Sequence, residues 1–206
     1  GRARLRDYVA AARRGADALG AAPVVVGHSL GGFVAQHLAS ERRLAGLVLV
    51  ASPGPAGLAP SLWRLASAPR VVATLVMAQA GLGAALGPEA ARAALFTEET
   101  PVDWIRAVAP PPAPESPLAL ADGLMWDLPP WPMVLGTPVL ALSGDRDAFV
   151  PLTDLIAIQA AYCADVHVLR GMAHGAPIDP RWKRLAWRIA AWIDERRIGA
   201  RCALAG

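Results

Sequence analysis

Val24-Val25-Val26-Gly27-His28-Ser29-Leu30-Gly31-Gly32 is the stretch whose reading decides the fold. Three β-branched residues run into Gly-x-Ser-x-Gly, and an amphipathic helix is expected from about Leu30 to Glu41, which puts the serine on a turn between a strand and a helix. Gly27 and Gly31 flank a turn expected to be too sharp for side chains beside the serine, and a strained backbone there would lift the Ser29 hydroxyl clear of the sheet. Ser29 is therefore the candidate nucleophile. A helix-capping serine at an ordinary turn would explain Ser29 but would not require glycine on both sides. His28 is expected to project away from the serine's reaction partner and to serve packing.

Working outward, Leu5, Tyr8, Val9, Ala12, Ala16 and Leu19 recur at helical spacing before Gly20, giving a helix over about 3–19. The expected buried strand, Pro23 to Gly27, follows, and Leu44 to Val50 is a second apolar run of strand length. Strands apolar on both faces, alternating with helices, indicate a parallel sheet covered on both sides. From residue 53 to 132 the pattern changes to proline breaks, short helical pieces and scattered tryptophans, read as a helical lid with helices near Val102 to Val108 and Leu118 to Leu124. Val71 to Pro88 carries no charge, but Thr74, Gln79, Gly81 and Gly83 dilute it, so it reads as a lid element and no membrane span is expected. The core then comprises residues 1–52 and 133–206. Thr137 to Ser143 is a strand, Leu152 to Tyr162 a helix and Val166 to Leu169 a short strand. Asp179 is expected to cap a last helix with Pro180 in its first turn and Trp182, Leu185, Ala186, Ile189, Trp192 and Ile193 as its buried stripe.

The chain has 206 residues, 54% hydrophobic and 18% charged, enough for one filled core with an insertion and too apolar for disorder. The net charge of +3 is small, and the terminal arginines fall on polar helix faces without interleaved aromatics, so no nucleic-acid partner is expected. Cys163 and Cys202 have no metal-ligand spacing and suggest no disulfide; neither metal nor cofactor is expected, and a reducing cytoplasm is the default location.

A serine hydroxyl becomes a strong nucleophile only when an imidazole takes its proton and a carboxylate holds that imidazole in one tautomer. Loops beyond the carboxyl ends of parallel strands meet at one edge of the sheet. Asp145 and Asp147 lie just past the strand Pro138 to Leu142, and His174 lies in a glycine-rich loop after Val166 to Leu169. Either aspartate would serve turn chemistry as well. His37 and His167 fit a helix and a strand and carry no catalytic expectation.

From its first helix to its last the chain resembles the α/β-hydrolase superfamily, of whose nucleophile elbow Gly27-His28-Ser29-Leu30-Gly31-Gly32 is a common form. The resemblance implies a three-layer fold, a mostly parallel sheet flanked by helices with a helical cap inserted after the second strand here. It implies an acid three residues after the glycine that ends a strand, which favours Asp147 over Asp145, and His174 as base, in the order Ser29, Asp147, His174. It also implies an oxyanion site with one donor at the Leu30 N–H and another in a His-Gly loop that this sequence lacks, since nothing precedes the first helix. The N-terminal strands of the sheet would then be missing. The strand Val24 to Val26 would be left with an unpaired edge, covered by upstream chain or by a second copy in a homodimer. Losing one oxyanion donor lowers turnover by about 10²–10³.

The sequence therefore points to a serine hydrolase of a small or medium apolar ester or thioester, with Trp63, Met77, Trp104, Met125 and Trp126 as candidate pocket residues and Trp131 beside them. A catalytically silent or truncated member acting as a binding or interaction domain is the alternative.

Overall fold

A computed structural model describes residues 2–109, 111, 113–130 and 136–198. In chain order these form α1 (Leu5–Asp17), β1 (Val24–His28), α2 (Leu30–Glu41), β2 (Gly46–Val50), α3 (Ala59–Ala66), α4 (Pro69–Gln79), α5 (Pro88–Leu95), α6 (Val102–Val108), α7 (Pro117–Ala121), β3 (Val139–Gly144), α8 (Leu152–Tyr162), β4 (Asp165–Leu169) and α9 (Trp182–Glu195). The four strands lie in the order β1-β2-β3-β4, all parallel, with His28 beside Val50, Val50 beside Leu142 and Gly144 beside Leu169. That register brings the loops that carry Ser29, Asp147 and His174 out at one rim.

The two faces of the sheet divide the alternating residues of β2 between two cores. Leu47 and Leu49 pack with Ala35, Leu38 and Ala39 of α2 and Ile158 and Tyr162 of α8. Val48 and Val50 pack with Leu140, Leu142 and, from α9, Leu185 and Trp192. All of β2 is buried, as its continuous apolar run requires.

Three expectations change. The strand β1 is not buried throughout: it pairs only with β2 among the described residues, and Val26 is 54% exposed. No strand among the described residues pairs with its outer edge, in keeping with the reading of a partial sheet. Helix α2 is not amphipathic in the usual sense, because residues 32–39 are all buried. The sheet holds one side of α2 and α1 the other, where Leu5 and Val9 meet Phe33 and Val34. The apolar stretch after Val71 breaks into α4, a 3₁₀ turn at Gly83–Ala85 and the start of α5 at Pro88. No helix among the described residues is long and apolar enough to cross a membrane. Finally, α9 starts at Trp182, two residues later than expected, although Asp179 makes the expected capping bond from before Pro180, its Oδ1 accepting the N–H of Arg181 at 2.8 Å while the carboxylate also pairs with the Arg181 guanidinium. Trp182 is left largely exposed while Leu185 and Trp192 are buried.

Among the described residues the segment between β2 and β3 carries helices and no strand, and the expected helix at Leu118–Leu124 is α7 continued by one π-helical turn, Asp122–Trp126. This segment is tied to the body at buried Asp122, whose carboxylate accepts the N–H of Leu5 at 3.1 Å and pairs with Arg4 at 3.3 Å. Cys163 is a free, exposed thiol, and Cys202 and Trp131 lie outside the described residues.

Candidate active site

Ser29 sits at φ 54° and ψ −127°, a conformation that side-chain-bearing residues rarely hold. Its N–H still bonds to Val50 at 3.0 Å, continuing the β1–β2 ladder, while its carbonyl already accepts the N–H of Gly32 at 2.9 Å as α2 begins. The chain turns from strand to helix within one residue, and the close approach falls elsewhere than expected. A Cβ at Gly27 would lie 2.5 Å from the Gly31 carbonyl oxygen, and one at Gly32 would lie 2.5 Å from the Ser52 side chain, whereas one at Gly31 would meet nothing within 4 Å. Gly27 and Gly32 are the two glycines the turn requires; Gly31 is free.

The acid and base loops are pinned to each other by backbone. Arg146 donates its N–H to the carbonyl of Met172 at 3.0 Å, and a Cβ at Gly144 would lie 2.0 Å from that same carbonyl oxygen. Only glycine lets the end of β3 come so near the His174 loop. Asp147 is buried, and its Oδ1 accepts the N–H groups of Phe149 at 2.7 Å and Val150 at 2.9 Å. Its Oδ2 lies 2.9 Å from His174 Nδ1, and His174 Nε2 lies 2.9 Å from Ser29 Oγ. With the Nδ1–H donated to a carboxylate, Nε2 is bare and accepts the serine hydroxyl. Asp145, the competing acid, is exposed and braces the loop by accepting the N–H of Gly171 at 2.7 Å. The first N–H of α2, that of Leu30, has no partner among the described hydrogen bonds and carries the positive end of the helix dipole.

Two residues beside His174 carried no catalytic expectation from the sequence. The rings of His28 and Phe149 lie 4.9 Å and 4.5 Å from the His174 ring. His28 does not point away: its Nε2 lies 2.8 Å from the His174 carbonyl oxygen. Burial, with the charge of His174 adding to it, lowers the pKa of His28 to about 4, so the ring is neutral and donates. Asp154, in the first turn of α8, is also buried; burial raises it to about 7 although the Gly54 N–H bonds to it, and its Oδ2 has no partner.

The five apolar candidates are scattered. Trp104 donates its indole N–H to the Ile178 carbonyl at 2.9 Å and packs with Ala91, Phe96 and Ile105, which anchors α6 to the chain just beyond His174. Trp63 is 82% exposed and lines an open groove of about 600 Å³ with Pro60, Arg64 and Pro151. Trp126 is 74% exposed, Met77 is half-buried on α4, and Met125 lies in the π-helical turn. A cavity of about 720 Å³ lies between α4, α5 and the acid loop, away from Ser29 and His174. Its walls carry Arg70, Arg92 and Arg146 against Glu89, Glu98 and Glu99, so their charges balance.

Residues 1–187 match the Alpha/beta hydrolase family. A search of curated proteins finds no match to the sequence. Among solved structures, the fold is similar to a thermophilic esterase from Thermogutta terrifontis at 23% identity and TM-score 0.66, covering 95% of this chain and 74% of that one. A putative non-heme bromoperoxidase from Mycobacterium tuberculosis superposes with TM-score 0.70 at 20% identity, over 94% of this chain and 75% of the other. A monoacylglycerol lipase from Paleococcus ferrophilus gives TM-score 0.64 at 19% identity, over 95% and 77%. At such identities these likenesses speak for the fold alone.

Proposed function

The chain belongs to the alpha/beta hydrolase family, and from that footing we propose that it is a serine hydrolase cleaving a small or medium apolar ester or thioester. Ser29 Oγ attacks the acyl carbon while its proton passes to His174 Nε2, and Asp147 stabilises the imidazolium without taking the proton. The oxyanion forms against the Leu30 N–H at the start of α2. Collapse of the tetrahedral intermediate breaks the bond to the leaving oxygen or sulfur, which leaves with the proton from His174. Water, deprotonated by His174, then attacks the acyl-serine and releases the acid, and Ser29 recovers its proton. The helices between β2 and β3 act as a cap supplying the apolar wall, with Trp63, Met77, Trp104, Met125 and Trp126 as its candidates.

The observation that supports this reading is the unbroken relay from Asp147 Oδ2 through His174 to Ser29 Oγ, 2.9 Å at each step, on a serine held at φ 54°. A second reading, a silent member that serves as an interaction domain, draws on the open edge of β1, where Val26 faces solvent. A second copy of the chain, or chain upstream of residue 1, would cover that edge. Hydrolysis of p-nitrophenyl esters from acetate to decanoate separates the two. The enzyme reading expects turnover that Ser29→Ala abolishes; turnover unchanged in Ser29→Ala would remove Ser29 from the chemistry, and none in wild type would favour the silent member.

A further inference from the structure

We propose that His28 is a positioning residue that fixes where His174 stands relative to Ser29, a role that rests on the reading of those two residues as base and nucleophile. Two contacts and its place in the chain put it there. Its Nε2 is 2.8 Å from the His174 carbonyl oxygen, its ring centroid is 4.9 Å from that of His174 at an angle of 46°, and it is the residue immediately before Ser29 at the end of β1. The nucleophile and the clamp on the base therefore share one short piece of backbone. Drift of the His174 loop away from the elbow would stretch the bond to His28 as it lengthens the gap to Ser29 Oγ.

The bond also fixes the chemistry of the clamp. A carbonyl only accepts, so His28 Nε2 must carry the proton and Nδ1 is bare. The ring stays neutral, its pKa lowered to about 4 chiefly by burial, which matters because His174 must become a cation during catalysis. A charged ring at this distance would oppose that step. Phe149 also meets the His174 ring, at 4.5 Å and 38°, so two uncharged rings pack against the base while its Nδ1 stays on Asp147. Phe149 steers the ring alone, whereas His28 holds both ring and backbone. Misplacing a reacting group by about 1 Å lowers turnover by about 10²-fold, which sets the size of effect expected when the clamp is lost.

The test compares His28→Phe, which keeps an aromatic ring and loses the N–H, with His28→Gln, whose side-chain N–H₂ reaches a similar point. Expected values for ester hydrolysis are a kcat lower by about 10–100-fold in His28→Phe with KM within about twofold, and recovery of most of that loss in His28→Gln. A His28→Phe protein with wild-type kcat overturns the proposal, as does a His28→Gln protein no better than His28→Phe. Nitrogen-15 NMR of wild type supplies a check that needs no variant: His28 is expected as the neutral Nε2–H tautomer at pH 6, and either an Nδ1–H tautomer or a doubly protonated ring contradicts the clamp. Should wild type neither hydrolyse esters nor label at Ser29, the proposed function fails on its own account. The NMR result then still decides whether the clamp exists.

Discussion

Replacing Asp147 by asparagine isolates the one proton position on which the relay depends. Oδ1 of Asp147 is held by the N–H groups of Phe149 and Val150 at 2.7 and 2.9 Å, and an amide NH₂ cannot occupy that place because donors would face donors. The introduced amide must therefore keep its oxygen there and turn its NH₂ toward His174 Nδ1, where the carboxylate oxygen now lies 2.9 Å away. The nearer neighbour of Nδ1 becomes a donor, which favours the tautomer that accepts at Nδ1 and carries its proton on Nε2, the atom that has to receive the proton of Ser29; the retained oxygen, 3.1 Å from Nδ1, is the competing acceptor. The same exchange in a serine protease triad lowers kcat about 10⁴-fold, equivalent to about 5 kcal/mol of barrier. Both backbone donors stay satisfied, so the melting temperature should move by only a few degrees. Asp145→Asn, by contrast, still accepts from Gly171 and should leave kcat within about threefold. The assay is hydrolysis of an activated ester whose wild-type rate is measured first, with thermal unfolding on each variant. A kcat for Asp147→Asn within tenfold of wild type, or an equal fall in Asp145→Asn, refutes the tautomer argument.

Other expectations concern stability, pH and the open edge. Gly27→Ala and Gly32→Ala should destabilise by more than about 2 kcal/mol or prevent folding, since each new Cβ would lie 2.5 Å from its nearest neighbour; Gly31→Ala should be neutral or stabilising by up to about 1 kcal/mol in urea titrations. Asp154 holds its proton up to about pH 7 when folded and releases it near pH 4 when unfolded, so its contribution to stability falls as pH rises between those values and levels off above. The stability of wild type minus that of Asp154→Asn should decline across pH 4–7, and a difference that rises there contradicts the burial argument. If a second copy covers β1, sedimentation should show a dimer that Val26→Lys dissociates, while a monomeric wild type would exclude that occupant. Extending the chain upstream to supply a second oxyanion donor should raise ester turnover about 10²–10³-fold; equal rates with and without the extension would show that Leu30 needs no such partner.

The frame of this fold could be read from local pattern. Helices at Leu30–Glu41, Val102–Val108 and Leu152–Tyr162 stand where spacing put them, because apolar periodicity and proline breaks act over a few residues. The meeting of Ser29, Asp147 and His174 was legible only through the strand-end logic of a parallel sheet, and the preference for Asp147 over Asp145 came from resemblance. What escaped was tertiary. His28 looks like packing until the His174 loop closes over the end of β1, and Gly31 looks like the glycine the turn needs until the Ser52 side chain is seen beside Gly32. Asp179 accepts the Arg181 N–H as a helix-capping rule expects, and its pair with the Arg181 guanidinium is the part that such a rule does not weigh. The tryptophans between β2 and β3 are ambiguous in sequence for a related reason: large apolar side chains anchor as readily as they line, and Trp104 anchors α6 through its indole N–H.

The claim that three distant side chains make one reaction centre is tested most directly by where a fluorophosphonate ends up. Peptide mapping by mass spectrometry after labelling should place a single phosphonyl adduct on Ser29, absent in Ser29→Ala and slowed at least about 10²-fold in His174→Ala. An adduct on another residue, or undiminished labelling of Ser29→Ala, would contradict the account.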